Sequence, residues 1–384
     1  MKPKVYIEGQ SGTTGLQIWE RLESRKDIEL LRIGEDKRHD RAERKRFLNA
    51  ADVAFLCLPD DGAREAVAMV ENPDTCIIDA STAHRTAEGW IYGYPELSNE
   101  QRDAIKAGKR IANPGCHATG LISSTAPLVR MGILPADYPL ACYSLTGYSG
   151  GGKKMIAEYE AEDRGERLDS ERIYGLPQTH KHLPEMVKVC GLSRTPVFSP
   201  AVGDFYQGMA TTIMLHRDLL RKKLSGQELR DALEEYYAGQ KFVSVAPYGG
   251  DEPVLYASAM AGTNQLKLEV AGNGEQITVT ALFDNLGKGA SGAAVQNMNL
   301  VLGFDEAVGL GLRSERNEIY QRRCLCPTGL SSIRPSCGGQ DPRGMEKGCG
   351  SDRFRRGLRG GGGLHEKRSQ GGPHPRGQSP SDQR

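Results

Sequence analysis

Three apolar runs punctuate the early part of the chain: "KVYI" (4–7), "ADVAFLCLP" (51–59) and "TCIIDAS" (75–81). Apolar side chains there fall at successive positions, not alternate ones. Strands buried on both faces have this pattern, and they belong to parallel sheets covered by helices. "IELLRI" (28–33) reads as a further strand, and the helical patterns "LQIWERLES" (16–24) and "GAREAVAMVE" (62–71) fall between strands. This alternation predicts a doubly wound parallel α/β sheet.

Beyond about residue 120 the pattern changes. "LISSTAPLVRMG" (121–132), "GGKKMIAEYEAE" (151–162) and "SGQELRDALEEYY" (225–237) read as helices. "LACYSLTGYS" (140–149), "TPVFSPAV" (195–202), "ATTIMLHR" (210–217), "QLKLEVAG" (265–272) and "QITVTALFDN" (276–285) are longer strands, several of them alternating. An α+β domain on a mostly antiparallel sheet follows, closed by a last helix, "GASGAAVQNMNLVLGF" (289–304).

The 384 residues are 38% hydrophobic and 26% charged, and the net charge of +1 gives no overall preference for nucleic acid or acidic membrane. That average hides two regions. Residues 313–384 hold 15 Lys/Arg against 7 Asp/Glu, so this segment is +8 and the remainder −7. The segment is rich in glycine and arginine and lacks apolar periodicity, which predicts a disordered basic tail. Its Cys324, Cys326, Cys337 and Cys349 match no common zinc spacing. Nucleic acid is not expected as a partner of the ordered part. The start lacks the apolar stretch of a signal peptide, no run is long enough to span a membrane, and nine scattered cysteines suit a reducing compartment. A cytoplasmic protein is the expectation.

Candidate chemistry begins at "GQSGTTG" (9–15), between the first strand and first helix. Gly9, Gly12 and Gly15 let the backbone turn tightly and approach a pyrophosphate, with Ser11, Thr13 and Thr14 as hydroxyl donors. The second strand runs into "RIGEDKRHDR" (32–41). Glu35 and Asp36 suit the ribose hydroxyls of NAD, whereas Lys37, Arg38 and Arg41 suit a 2′-phosphate. Both dinucleotides stay open on these residues; NADP, with Arg38, is the working assignment.

"NPGCHATG" (113–120) sets Cys116 after a Pro-Gly turn and at the start of a helical pattern. Free amides and the positive end of the peptide dipole stabilise a thiolate there, so a lowered pKa and a nucleophilic role are expected. Cys57, Cys76, Cys142 and Cys190 sit in apolar runs and read as core. "THKHLPE" (179–185) supplies His180 or His182 as proton carrier, with Glu185 orienting the imidazole. Without a third ligand nearby, no metal is expected. "DASTAHR" (79–85) follows a buried strand at the end where open sheets bind ligands. Ser81 is assigned to the cofactor, and Arg85 to bidentate binding of an anionic substrate, together with Asn113. "GYSGGGKK" (147–154) reads as a phosphate cradle built on Ser149 and Lys153.

These motifs, with "YPEL" (94–97) and "DNLGKGASGAAVQN" (284–297), resemble the short form of the N-acetyl-γ-glutamyl-phosphate reductases and, more distantly, the aspartate-semialdehyde dehydrogenases. The resemblance covers residues 1–312. It implies a Rossmann-type NADP-binding domain, 1–115, completed by a C-terminal helix, 288–312, around a catalytic and dimerisation domain, 116–287. It implies Cys116 as nucleophile, the histidine pair as acid/base, and Lys288, Gly289 and Ala290 near the nicotinamide. The activity implied is NADPH-dependent reduction of N-acetyl-L-glutamyl 5-phosphate to N-acetyl-L-glutamate 5-semialdehyde and phosphate through a cysteine thioester, a step of arginine biosynthesis, by a homodimer or homotetramer. The alternatives are the same chemistry on aspartyl or aminoadipyl phosphate, and a non-catalytic NADP-binding sensor.

Overall fold

The computed structural model describes residues 1–250 and 253–311. The expectations for 313–384, and for residue 312, lie outside the described residues. The first sheet collects β1 (Lys4–Glu8), β2 (Glu29–Leu31), β3 (Val53–Leu56), β4 (Cys76–Asp79), β5 (Ile91–Tyr92) and β6 (Arg110–Ala112). Its order is β2-β1-β3-β4-β6-β5, and all of its pairings are parallel. The helices between are α1 (Thr13–Leu22), α2 (Arg41–Ala50), α3 (Asp60–Ala68) and α4 (Asn99–Ala107).

Both faces of this sheet are covered, which accounts for the unbroken apolar runs. Val5, Ile7, Val53 and Phe55 pack on one side with Ile18 and Leu22 of α1. Tyr6, Ala54 and Leu56 pack on the other with Leu48 of α2 and Ala63 and Ala66 of α3. The charged stretch 32–41 after β2 contains the start of α2. Asp40 caps that helix by accepting from the amides of Ala42 (2.8 Å) and Glu43 (3.0 Å). Because α2 buries only Leu48, its apolar stripe is too thin to register as a helical pattern.

The second layer begins with α5 (Cys116–Arg130) and continues through β7 (Ala141–Gly147), α6 (Gly152–Glu160), β8 (Arg172–Ile173), α7 (Leu183–Cys190), β9 (Val197–Gly203), β10 (Met209–His216), α8 (Gly226–Tyr236), β11 (Val243–Val245), β12 (Leu266–Gly272) and β13 (Gln276–Phe283). Its sheet runs β11-β12-β13-β10-β7-β9-β8. The β11/β12 and β7/β9 pairings are parallel and the others antiparallel. Cys142, Ile213, Leu268, Val270 and Val279 share one core with residues of α5, α7 and α8. Met214, which alternates with Ile213 and Leu215 along β10, is 47% exposed.

A wide turn at Gly287–Ser291 leads into α9 (Gly292–Val301), which returns to the first sheet and packs there through Ala294, Val295 and Met298. Nearly every residue of α9 is buried, so its polar side chains need internal partners. Gln296 donates to Glu96 (2.8 Å), and Asn297 donates to the Gly93 carbonyl (2.9 Å).

Candidate active site

A cleft of about 360 Å³ opens where β1, β4 and β6 end, the edge at which parallel sheets place their ligands. Thr13 and Thr14 line it from the glycine loop, Ala80 and Arg85 from the segment after β4, and Asn113 to His117 from the turn after β6. The second layer contributes Thr146, Ser149 to Gly152, Tyr174 and His180 to His182; Gly289 and Ala290 close it.

Three helices begin at this cleft: α1 at Thr13, α5 at Cys116 and α6 at Gly152. None has a side-chain cap or an acidic residue in its first turn. Their first amides have no partner within the helix, so three positive dipole ends face one space. Such a cleft holds anions. At the glycine loop, Gly9 has φ +81°, and a side chain on it would begin 2.4 Å from the Cys57 carbonyl oxygen. The loop lies flat for that reason, and its open amides fit a pyrophosphate. A nicotinamide dinucleotide therefore fits the residues present.

Cys116 is the first residue of α5 and lies partly exposed in the cleft. Gly289 sits against it: a Cβ there would lie 3.0 Å from the Cys116 Cβ. The expected lowered pKa is not what the surroundings give. Burial is the largest influence and holds the thiol above its ordinary value, against the pull of Arg85, the His117 amide and Lys181. One helix end and two cations do not outweigh desolvation here.

Three imidazoles cluster beside the thiol. Ring centroids are 5.5 Å apart for His117 and His180, 5.7 Å for His117 and His182, and 4.8 Å for His180 and His182. Burial keeps all of them neutral: His117 is pushed down to about 3, His180 to about 4, and His182 well below the ordinary value. The Nδ1 of His180 accepts the His182 amide at 3.2 Å, which leaves its proton on Nε2. His117 bridges Ser144 (2.7 Å) and the Tyr174 hydroxyl (2.6 Å).

Several expected positions differ. Glu185 makes no hydrogen bond to either neighbouring histidine. It accepts from Arg85 Nη1 (2.7 Å), the Tyr92 hydroxyl (2.6 Å) and the Gly115 amide (3.2 Å), because α7 turns it toward the first sheet. Arg85 donates also to the carbonyls of Asn113 (3.0 Å) and Ala80 (3.1 Å), so three of its five N–H groups are committed within the protein. Lys288 is fully buried, with Nζ 2.7 Å from both Glu96 and Gln296; only Gly289 and Ala290 of that trio line the cleft. Lys153 is exposed and does not line the cleft, whereas Ser149 and the glycines after it do. The Ser81 hydroxyl donates to Asp79 (2.7 Å) and does not line the cleft. Arg38 is held by Glu35 at 2.5 Å. Ser11 faces an adjoining cleft with Gln10, Arg32, Gly34 and Glu35, so the glycine loop separates two hollows.

Sequence reasoning overlooked His117, Lys181, Tyr92 and Tyr174. The first two lie inside motifs already singled out, and a lysine between two site histidines was the available signal. Tyr92 ends one two-residue strand and Tyr174 follows another, both too short to leave a pattern.

Residues 4–106 match the family model described as "Semialdehyde dehydrogenase, NAD binding domain", and 116–285 match "Semialdehyde dehydrogenase, dimerisation domain". N-acetyl-gamma-glutamyl-phosphate reductase 2 of Nostoc sp. is 48% identical over 320 residues, spanning 80% of this chain and 99% of the relative. The N-acetyl-gamma-glutamyl-phosphate reductase of Mesorhizobium japonicum is 48% identical over 310 residues, spanning 79% and 100%. Among solved structures, aspartate semialdehyde dehydrogenase II of Vibrio cholerae, complexed with ASA, superposes with a TM-score of 0.62 at 15% identity over 79% of this chain and 99% of that one. The Candida albicans aspartate semialdehyde dehydrogenase with NADP gives 0.56 at 16% identity, over 79% and 99%. These structures share the fold, and the close relatives narrow the family. The chain belongs to the N-acetyl-gamma-glutamyl-phosphate reductases, within the semialdehyde dehydrogenases.

Proposed function

We propose that the chain reduces N-acetyl-L-glutamyl 5-phosphate to N-acetyl-L-glutamate 5-semialdehyde and phosphate, a step of arginine biosynthesis, through a thioester on Cys116 with NADPH as reductant. The observation that carries this reading is the meeting, in one cleft, of a half-open cysteine, three uncapped helix starts and a neutral imidazole. The names of the relatives supply the substrate.

Cys116 gives its proton to solvent and attacks the acyl carbonyl as thiolate, an anion that Arg85 and Lys181 favour against the effect of burial. A carbon–sulfur bond forms, the carbon–oxygen bond to phosphate breaks, and phosphate leaves with its electron pair. The amides at the start of α6 and the Lys181 ammonium suit the departing anion, and we assign the remainder of the substrate to Asn113 and Ser149, which line the cleft. NADPH, when bound, supplies a hydride to the thioester carbonyl. Thr13 and Thr14 would hold its pyrophosphate, with Gly289 and Ala290 beside the nicotinamide. His180, with its proton on Nε2, donates to the carbonyl oxygen as charge builds there. Collapse returns the thiolate and releases the aldehyde.

The open face of the second sheet suits a homodimer, alone or within a tetramer, and 116–285 carry the dimerisation-domain match. We assign the enzyme to the cytoplasm, where a free thiol such as Cys116 stays reduced. The test follows phosphate-dependent NADP reduction with N-acetylglutamate semialdehyde and, separately, aspartate semialdehyde. The first substrate should turn over, and Cys116→Ser should lose at least about a thousandfold while NADPH binding persists. Turnover of the aspartate compound alone, or an active serine variant, would overturn the reading.

A further inference from the structure

The hollow on the other side of the glycine loop has its own chemistry. β2 pairs in parallel with β1, with Leu31 opposite Tyr6, so the residues after Leu31 emerge beside the glycine loop. In doubly wound folds the end of the second strand faces the adenosine ribose, and a carboxylate there binds the ribose hydroxyls. Here the chain continues Arg32-Ile33-Gly34 and reaches an acid only at Glu35.

Arg32 lines this hollow, and its guanidinium carbon lies 4.2 Å from the centre of the Trp19 ring. Contact with the ring face holds the guanidinium at the hollow without using its N–H donors. No side-chain hydrogen bond or ion pair joins Arg32 to another of the described residues, so its N–H donors are unspent. Arg38 offers no equivalent: it donates to Glu35 (2.5 Å) and His39 (3.2 Å), and it does not line the hollow. The same ion pair offsets the Glu35 carboxylate, the one acidic group among the described residues of the lining.

We propose that Arg32, held over the Trp19 ring, reads the 2′-phosphate of NADP(H) and sets the preference for NADP over NAD. This rests on the reading that the glycine loop carries a nicotinamide dinucleotide. A planar fork matches a phosphate monoester with two parallel hydrogen bonds. A ribose hydroxyl offers it no such partner, so the discrimination arises from that one contact.

Calorimetric titration of the full chain with 2′,5′-ADP and with 5′-ADP tests the contact without turnover. Wild type is expected to bind 2′,5′-ADP at least about tenfold tighter than 5′-ADP. Arg32→Ala should weaken 2′,5′-ADP by roughly 10- to 100-fold and leave 5′-ADP within about twofold, which also reports a folded site. Arg32→Lys should fall between, having charge without the fork. Arg38→Ala should keep the preference. Retention of the preference by Arg32→Ala, or its loss in Arg38→Ala, overturns the inference. Equal binding of both nucleotides by wild type overturns it while leaving the dinucleotide site standing; binding of neither removes that site and the inference together.

Discussion

Glu185→Gln tests how the cleft is held together. Glu185 and Arg85 have side chains only 1% and 8% exposed, and their charges approach to 2.7 Å. The amide keeps the size and one carbonyl acceptor of the carboxylate but removes its charge. Arg85 retains its bonds to the Asn113 and Ala80 carbonyls, so it has little reason to leave. It stays as a buried cation without an anion. Breaking such a pair from one side costs about 3–5 kcal/mol, a large part of a typical total of roughly 5–15 kcal/mol. At about 2–4 °C per kcal/mol, the melting temperature should drop on the order of 6–20 °C. Arg85→Met/Glu185→Leu removes both charges and should lose clearly less than the sum of the single losses.

A second readout has the opposite sign. Glu185 raises the Cys116 thiol, so its neutral replacement should make the thiol easier to ionise. Iodoacetamide should therefore alkylate Cys116 faster in Glu185→Gln than in wild type at pH 8, although the variant is the less stable protein. Thermal melts followed by circular dichroism, and alkylation followed by mass spectrometry, measure the two effects independently. A variant melting within about 1 °C of wild type, with single losses that simply add, would refute the claim that an unpaired buried charge dominates.

Arg85→Met removes the largest influence that lowers the Cys116 thiol, so its alkylation profile should move to higher pH than in wild type. The histidines predict an acid limb to stability. Unfolded imidazoles take up protons near 6.5, whereas His180 and His117 resist until about 4 and about 3, so stability should be lost as pH falls from 6.5 towards 4. Urea midpoints should show this fall, and His117→Gln should flatten it; a midpoint constant from pH 7 to 5 would contradict it. Lys288→Met strands the fully buried Glu96 and should cost about 3–5 kcal/mol in urea unfolding, with NADPH affinity unchanged in the folded fraction. A selective loss of NADPH affinity would restore Lys288 to the cofactor site.

What could be read from the sequence is what neighbouring residues decide among themselves. Asn113-Pro114-Gly115 must turn and a helix must follow, so the place of Cys116 at a helix mouth was legible without any distant partner. Residues 53–56 had to be covered on both faces, and the parallel sheet followed from that. Polar side chains are different, because a buried charge goes wherever its counter-charge lies. Glu185 meets Arg85 across 100 residues and Tyr92 across 93, and Lys288 meets Glu96 across 192. Proximity in sequence therefore mispaired Glu185 with its neighbouring histidines, and the family resemblance sent Lys288 to the cofactor together with Gly289 and Ala290. The same rule separates Arg32 from Arg38. Both stand in one charged stretch, but Glu35 takes Arg38 locally, while Trp19, brought over by α1, holds Arg32 with its donors free. Once the local pairs are satisfied, the cations left unpaired at a concave edge are those with capacity for an anionic ligand, and only the fold identifies them.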